Sequence, residues 1–312
     1  MGADAPHDSV MLLAFGGPTR PQDVRPFLDN VLAGRPIPKE RYEEVVRHYE
    51  EVGGASPITR LTLEQAHALQ EMLAREGPRL SVYVGMRHWD PTITDTLAAM
   101  AREGRRRAVG LVMAAHRSPV SWEAYLKAVD AARKRLGGTA PAVDYPAPWS
   151  GHPLFIEALA DRTTAAIESV PASRRGGARL VFTAHSIPTD LAESSGYAST
   201  LKQTAAKLGD RLRINDWSLA YTSRSGRPSE PWLEPDIGDE LRALKSAGAR
   251  DVVVSPIGFV SDHVEVLYDL DVAARRTAED LGIGFVRART AGDHPSFIGM
   301  LAALVREVVA RA

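Results

Sequence analysis

A histidine and two carboxylates stand where the side chains of a parallel α/β protein commonly do chemistry. His185 ends the strand-like run VFTAH, and ligands of open parallel sheets bind at the carboxyl ends of the strands. Glu265 and Asp269 follow a second apolar run and are four residues apart, so they share one helix face. Imidazole with carboxylate suits a divalent metal ion such as Fe(II), and the set is too sparse for a permanent structural ion. The pattern predicts a site that holds a metal briefly and passes it on.

Each signal also has a structural explanation when it is taken alone. A lone histidine at a strand end is more often a hydrogen-bonded structural residue than a ligand. Two acids four residues apart cost a helix only a few tenths of a kcal/mol, so exposed pairs of this kind are common. The functional interpretation gains weight because the two strands would bring His185 and both acids to one cleft if they belong to the same lobe.

The elements that must position these residues alternate along the chain. Apolar or β-branched runs predict strands at Ser9–Phe15, Leu80–Gly85, Ala108–Ala115, Arg179–Ala184, Trp217–Tyr221, Asp251–Pro256 and Gly282–Arg287. Amphipathic runs predict helices at Gln22–Leu32, Leu63–Arg75, Ile93–Arg102, Trp122–Leu136, Leu154–Ser169, Asp236–Ser246, Val264–Leu281 and Phe297–Ala310. Either Ser261 or Asp262 is expected to cap the helix that carries the acids. The alternation predicts an α/β fold with two similar doubly wound lobes, parallel sheets and a central cleft.

A turn-rich segment, YPAPWSG at 145–151, divides the chain into nearly equal halves. We therefore expect an N-terminal lobe at residues 1–148 and a C-terminal lobe at 149–312 that carries His185 and the acids. The last predicted helix is expected to pack back on the first lobe.

Composition excludes several classes of function. The net charge is −1, so no bulk basic field indicates nucleic acid, and the absence of cysteine excludes disulfides, thiolate zinc sites and an iron–sulfur cluster. The run AFGGPT has neither the GxGxxG spacing nor a following GK[ST], so it predicts a tight turn rather than a phosphate loop. No signal peptide and no apolar stretch of about 20 residues is present, and a cytoplasmic protein is expected.

Six segments then show a resemblance to a known family. They are LLAFGGP, HYEEVGGASPIT, VGMRHWDP, FTAHSIP, SRSGRPSEPWLEPD and PIGFVSDHVEVLYDLD. The chain resembles the ferrochelatases over nearly its whole length, and the last three segments are highly specific in that order and spacing. This resemblance implies a lyase of haem and porphyrin biosynthesis that inserts Fe(II) into a free-base porphyrin with release of two protons. The chain is similar to the short bacterial form, and to its actinobacterial-type members, whose usual substrate is coproporphyrin III. Protoporphyrin IX stays open as the substrate.

By the resemblance, His185 and Glu265 are the catalytic pair that faces the macrocycle centre. The same two residues and Asp269 are the expected metal ligands. Ala273 stands where bacterial relatives often have a third acid, which puts an outer metal site in doubt. The resemblance does not say which member of the pair takes the pyrrole protons.

The resemblance also implies a set of substrate-binding side chains. They are Ser56, Tyr125, Trp232, Arg47, Arg87, His88 and Phe15. The two hydroxyls and the two guanidinium groups are candidates for binding propionates, and a structural role is the alternative for each. Phe15 replaces a tyrosine that ligates product iron in many relatives, so that ligation is expected to be absent. The remaining histidines are treated as structural or surface residues: His48, His67, His116, His152, His263 and His294.

The expected partners are a porphyrin and ferrous iron, with no permanently bound cofactor and no nucleic acid. A monomer without a transmembrane segment is expected, and a transient contact with a membrane or a pathway enzyme stays open. The alternatives are a chelatase for another tetrapyrrole, such as sirohydrochlorin with cobalt or iron, and a two-lobed protein that binds a small ligand.

Overall fold

The computed structural model describes residues 6–225 and 229–311. The predictions for the N-terminal residues 1–5 and for residues 226–228 of the SRSGRPSEPWLEPD segment therefore lie outside the described residues.

The chain forms two compact units. Unit 1 contains the chain up to Ala114, Pro119–Trp149, and the chain from Asp293 onward. Unit 2 contains Ala115–Ser118 and Ser150–Gly292. The predicted boundary between residues 148 and 149 stays a prediction.

Unit 1 is built on a four-stranded parallel sheet with the order β2-β1-β3-β4. Its strands are β1 (Ser9–Ala14), β2 (Ser81–Met86), β3 (Arg107–Val112) and β4 (Ala142–Asp144). All six residues of β1 are buried, as expected for a strand with a neighbour on each side and helices on both faces. Ala14 pairs with Met86, so the residues that follow these two strands emerge side by side at one sheet edge.

Unit 2 repeats this arrangement with the order β6-β5-β7-β8. Its strands are β5 (Arg179–His185), β6 (Trp217–Thr222), β7 (Asp251–Ser255) and β8 (Gly284–Arg287). All pairings are parallel, and His185 pairs with Thr222 at the carboxyl ends of the two strands.

Helices flank both sheets. In unit 1 they are α1 (Val24–Leu32), α2 (Lys39–Glu51), α3 (Ile58–Glu76), α4 (Ile93–Arg102), α5 (Trp122–Leu136) and α13 (Pro295–Ala310). In unit 2 they are α6 (Pro153–Ser169), α7 (Ala172–Arg175), α8 (Thr189–Ser195), α9 (Tyr197–Leu212), α10 (Ile237–Ser246), α11 (Val264–Val266) and α12 (Arg275–Asp280). The predicted α/β class with parallel sheets is confirmed. Within the described residues no helix has the length and apolarity needed to span a lipid bilayer.

The helix that carries the acids differs from the prediction of one regular helix over Val264–Leu281. A π-helical segment, Leu267–Ala274, lies between α11 and α12. The buried residues that pack this stretch on the sheet recur every four positions: Val266, Leu270, Ala274 and Ala278. A spacing of four drifts by about 40° per step around an α-helix of 3.6 residues per turn. The wider π-helical turn corrects that drift and keeps the stripe on the core.

Five elements were missed by the sequence prediction. They are β4, α2, α7, α8 and α9. Strand β4 has only three residues, and α2 is so polar that packing rather than an apolar stripe defines it. By contrast, α4 and α5 begin and end at the predicted residues.

The last helix is tied to unit 1 by polar contacts. On α13, Arg306 donates from Nε to the carbonyl oxygen of Gly77 at 3.0 Å and from Nη2 to Glu76 at 2.9 Å. The end of α3 is therefore joined to the end of the chain.

Gly258 lets the loop after β7 lie directly against β5. Its N–H donates to the carbonyl oxygen of Thr183 at 3.0 Å, and an added Cβ would lie 2.5 Å from Cβ and 2.7 Å from Cα of Ala184. Those atoms belong to the residue before His185. A side chain at this position would therefore disturb the end of the strand that carries the histidine.

We expect Gly258→Ala to lower the free energy of unfolding by roughly 1–3 kcal/mol, because the new methyl group meets backbone atoms. Chemical denaturation followed by circular dichroism measures the change. Gly176→Ala is the matched control in unit 2, because Gly176 has a right-handed helical φ and a Cβ added there would have no atom within 4 Å. Equal stability of the two variants would contradict the predicted clash.

Candidate active site

His185 ends strand β5, where its side chain turns to the carboxyl edge of the sheet. About 30% of the side chain is exposed, and Nε2 lies 3.5 Å from Oε1 of Glu265. Nδ1 is in short contact with the carbonyl oxygen of Ser186. The buried hydroxyl of Tyr197 donates to the carbonyl oxygen of His185 itself at 3.0 Å. Backbone and ring are thus both held while Nε2 points at the carboxylate.

His263 positions Glu265 from the other side. Its Nδ1 accepts a hydrogen bond from the backbone N–H of Glu265 at 3.2 Å and so caps α11, where Ser261 or Asp262 was predicted to act. The cap requires a neutral ring, and burial lowers the pKa of His263 despite the opposing charge of Glu265. His263 was treated as structural, and the structure gives it a capping role next to the pair.

Asp269 lies one turn further along, inside the π-helical segment. It accepts a short hydrogen bond from the hydroxyl of Ser223, the residue after β6. Ser223 has a φ of +64°, a left-handed conformation that non-glycine residues rarely adopt and that is frequent at functional sites. Burial raises the pKa of Asp269 to about 7, against the lowering effect of the hydrogen bond from Ser223. This carboxyl group can therefore bind or release a proton near neutral pH.

The charge on Glu265 dominates the protonation of His185. Burial alone lowers the pKa of His185, but attraction to Glu265 and hydrogen bonding with it outweigh that effect and raise the pKa to about 9. At neutral pH the two side chains form an imidazolium–carboxylate pair. A metal ion that binds the imidazole must therefore displace a proton.

Few metal donors are grouped together in the described part of the chain. Among residues 6–225 and 229–311, no group of three or more His, Cys, Asp or Glu side chains is arranged to hold a metal ion. Ala273, where a third acid was in question, adds no donor, and the neighbouring Asp271 instead binds Arg287.

Trp232 is held close to the end of β5. Its backbone forms an antiparallel bridge with Pro188, and the hydroxyl of Ser186 donates to the carbonyl oxygen of Leu233 at 2.9 Å. The indole Nε1 donates to Glu230 at 3.0 Å and the ring is partly exposed. The described structure thus brings Trp232 and His185 to the same edge of unit 2.

Unit 1 presents a different surface at the carboxyl edge of its sheet. Phe15 follows β1 with about 36% of the residue exposed, and its ring lies 4.5 Å from the ring of His88, which follows β2. Burial, with help from the charge of Arg87, lowers the pKa of His88 to about 4. The imidazole is therefore neutral at physiological pH, and this edge is mainly apolar.

Two guanidinium groups border this apolar surface. Arg87 lies 6.0 Å from the ring centre of the buried Tyr125 and donates to the carbonyl oxygen of Val120. Burial lowers the pKa of Arg87, and the nearby charge of Arg35 lowers it further. In the described part of the chain, neither arginine forms an ion pair, so both charges are available to an anionic group.

The other predicted substrate residues of unit 1 are more scattered. Ser56 is buried, and its hydroxyl lies 3.5 Å from the backbone N–H of Ile58. Arg47 is exposed on α2. The hydroxyl of Tyr125 is buried on α5, where burial raises its pKa. The roles of these residues stay predictions.

Sequence reasoning missed four residues that the structure places at these two sheet edges. They are Ser223, His263 and Tyr197 in unit 2 and Arg35 in unit 1. Ser223 had a usable signal, because it lies two residues after the predicted strand Trp217–Tyr221. The contacts of Tyr197 and Arg35 depend on how separate segments pack, and the cap by His263 depends on the direction of its side chain.

Comparison with known proteins agrees with this architecture. A sequence profile described as ferrochelatase matches residues 7–309. The chain belongs to the ferrochelatase family. A protein named coproporphyrin III ferrochelatase from Nocardia farcinica is 42% identical over 308 residues, which cover 96% of this chain and 88% of the relative. A protein named ferrochelatase from Rhodopirellula baltica is 40% identical over 303 residues, which cover 97% of this chain and 86% of the relative.

A solved structure supports the fold. SirB from Bacillus subtilis with Fe3+ aligns with a TM-score of 0.61 at 12% identity, covering 98% of this chain and 96% of that one. At this identity the likeness concerns the fold alone. The family places the chain among the metal chelatases, which are lyases, and the prediction of an enzyme is confirmed.

We expect Glu265→Gln to lower the pKa of His185 from about 9 to below 7 in the metal-free protein, because the opposing charge is lost while burial remains. NMR titration of the ring measures it. The folded-state pKa of His185 is raised above its unfolded value, so the stability from this pair is complete below about pH 6.5 and is lost as pH rises through 9. Glu279→Gln on α12 is the control, and an unchanged titration in Glu265→Gln would contradict the pairing.

Proposed function

We propose that this enzyme inserts ferrous iron into a free-base porphyrin, with coproporphyrin III as the preferred substrate, in haem biosynthesis. The observation that carries the proposal is the His185–Glu265 pair at the end of β5, with Asp269 behind it on the same helical stretch. Family membership and the names of the relatives support the reaction class.

The pair suits a metal ion that must leave again. A neutral imidazole and a carboxylate are ligands that Fe(II) accepts, and water or substrate nitrogens would complete the coordination. Because His185 is protonated before metal binds, the arriving ion exchanges for a proton rather than entering an empty ligand set. Affinity is therefore moderate at neutral pH, as transfer to a porphyrin requires.

Metal insertion also needs an outlet for the two pyrrole protons. Once iron has moved to the macrocycle, the imidazole and the Glu265 carboxylate are both free to take a proton. Asp269, with a pKa of about 7, can accept a proton next and release it to solvent. The proposal assigns proton removal to this group of three and leaves the order within the His185–Glu265 pair open.

Carboxylate recognition is assigned to unit 1. Arg35 and Arg87 have no carboxylate partner among the described residues, and both charges act on His88, whose ring lies against the ring of Phe15. An apolar surface with two unpaired guanidinium groups suits a flat ligand that carries carboxylates at its rim. Coproporphyrin carries four propionates and protoporphyrin two, so the first offers more partners for these charges.

The reaction is tested by mixing the protein with coproporphyrin III and Fe(II) under anaerobic conditions. Free-base bands in the visible spectrum should give way to a metalloporphyrin spectrum. We expect His185→Ala to lower kcat by a factor on the order of 10² or more, because it removes the imidazole that pairs with Glu265 at 3.5 Å. His67→Ala on the exposed face of α3 is the matched control and should keep wild-type kcat.

Circular dichroism shows whether His185→Ala stays folded, as expected for a side chain at a sheet edge. Activity close to that of the control variant would reject His185 as an essential residue. Absence of turnover by the wild-type protein would reject the proposed function.

Substrate preference is tested by comparing kcat/KM for coproporphyrin III and protoporphyrin IX. We expect kcat/KM to be higher for coproporphyrin III. Arg87→Met should lower the ratio of the coproporphyrin to the protoporphyrin value by about tenfold, since a charge-assisted hydrogen bond contributes roughly 1.5–3 kcal/mol. Arg102→Met, at the carboxyl end of α4, should leave this ratio unchanged. A wild-type preference for protoporphyrin IX would reverse the substrate assignment.

A further inference from the structure

Arg287, the last residue of β8, holds two carboxylates at once. Nε and Nη2 donate to Oδ1 and Oδ2 of Asp271 at 2.8 and 2.7 Å. Nη1 and Nη2 approach Oδ1 and Oδ2 of Asp262 at 3.2 Å each. Only 11% of the arginine side chain is exposed, against 22% for Asp262 and 28% for Asp271. Two-point contacts of this kind fix orientation as well as distance.

The two acids bracket the candidate active site in the sequence. Asp262 directly precedes His263, the cap of α11, and Asp271 lies in the π-helical segment. Glu265 and Asp269 lie between these anchors. Both ends of the stretch that carries the reactive carboxylates are thus tied to one guanidinium group on a strand of the sheet.

The tether to Asp271 also determines which way Asp269 faces. Residues two apart on a helix point in different directions. Because the side chain of Asp271 points to β8, the side chain of Asp269 points away from that strand. Asp269 contacts Ser223 after β6, while Asp271 contacts Arg287 on β8. A π-helix has poor intrinsic stability, and its register depends on such external contacts.

We propose that Arg287 is a positioning residue for metal insertion, acting through Asp262 and Asp271 to hold Glu265 and Asp269 in place relative to His185. The inference rests on the proposed function, since it assumes that these carboxylates handle the metal. Arg287 itself contacts the two anchoring acids and no member of the reactive group of three. Arg275 also approaches Asp271, but it is more exposed: its Nε donates to the backbone carbonyl oxygen at 3.3 Å, and its Nη2 lies 3.8 Å from Oδ1 of the carboxylate.

The test compares Arg287→Met and Arg287→Lys with Arg174→Met in the full-length protein. Arg174→Met is the matched control. Arg174 pairs with the buried Asp251 at the amino end of β7, and this arginine–aspartate pair of unit 2 is remote from the active edge. For Arg287→Met we expect the KM for Fe(II) to rise, or kcat to fall, on the order of tenfold or more, as for other residues that orient metal ligands. The KM for the porphyrin should change by less than about twofold.

Arg287→Lys keeps the charge but cannot contact both carboxylates in the same way, so an intermediate effect is expected. Asp271→Asn should shift the same constants, and the Asp271→Asn/Arg287→Lys double variant should be no worse than the poorer single one, because the two residues act as a unit. These variants carry the test if Arg287→Met does not fold. Kinetics equal to those of Arg174→Met, or equal increases in both KM values, would overturn the inference.

Binding of Co(II) to the porphyrin-free protein, followed by visible absorbance, separates this inference from the proposed function. We expect Arg287→Lys to bind Co(II) more weakly than Arg174→Met does. If the wild-type protein inserts no iron, the proposed function fails, and this comparison still decides whether Arg287 positions the metal-binding carboxylates. Equal Co(II) affinity of the two variants would reject the positioning role.

Discussion

The attraction between His185 and Glu265 is the interaction on which the site depends. An imidazole at the end of β5 and a carboxylate on α11 come within 3.5 Å only because β5 and β7 are neighbours in one parallel sheet. Gly258 is part of the same constraint, since a larger residue would hold the loop after β7 away from β5. The pair keeps a proton on His185 at neutral pH, and under the proposed function an arriving cation displaces it. The fold thus sets the distance between the imidazole and the carboxylate, and with it the protonation of His185.

The two sheets have the same strand order but carry different chemistry at equivalent places. Phe15 and His185 occupy equivalent places, since Phe15 follows the inner strand β1 and His185 ends the inner strand β5. Each of the two residues has an alanine directly before it and a proline three residues after it. One position presents an exposed aromatic ring and the other an ionisable ring. Under the proposed function, carboxylate recognition belongs to unit 1 and metal and proton chemistry to unit 2. An enzyme that acts on a flat, apolar ligand with charged arms needs both kinds of surface.

The π-helical segment links core packing to this chemistry. Its buried stripe recurs every four residues, and the acids at 265 and 269 follow the same spacing one position earlier. Keeping the stripe on the core therefore keeps both acids on one line. Such a segment is intrinsically unstable, and the contacts of Asp269 with Ser223 and of Asp271 with Arg287 hold it from two sides.

The sequence alone determined the class of fold and singled out the candidate pair His185 and Glu265, whose role stays a prediction. Alternating apolar and amphipathic runs suffice for parallel α/β units, and helices such as α4 and α5 have local signals that specify both ends. His185 and Glu265 could be singled out because a strand end and a helical spacing are local properties. Only the tertiary structure decided three further features: the capping role of His263, the proximity of Arg35 to Arg87, and the double contact of Arg287. Each of these joins segments that are distant in the chain or depends on a side-chain direction, and no local pattern of residues encodes either.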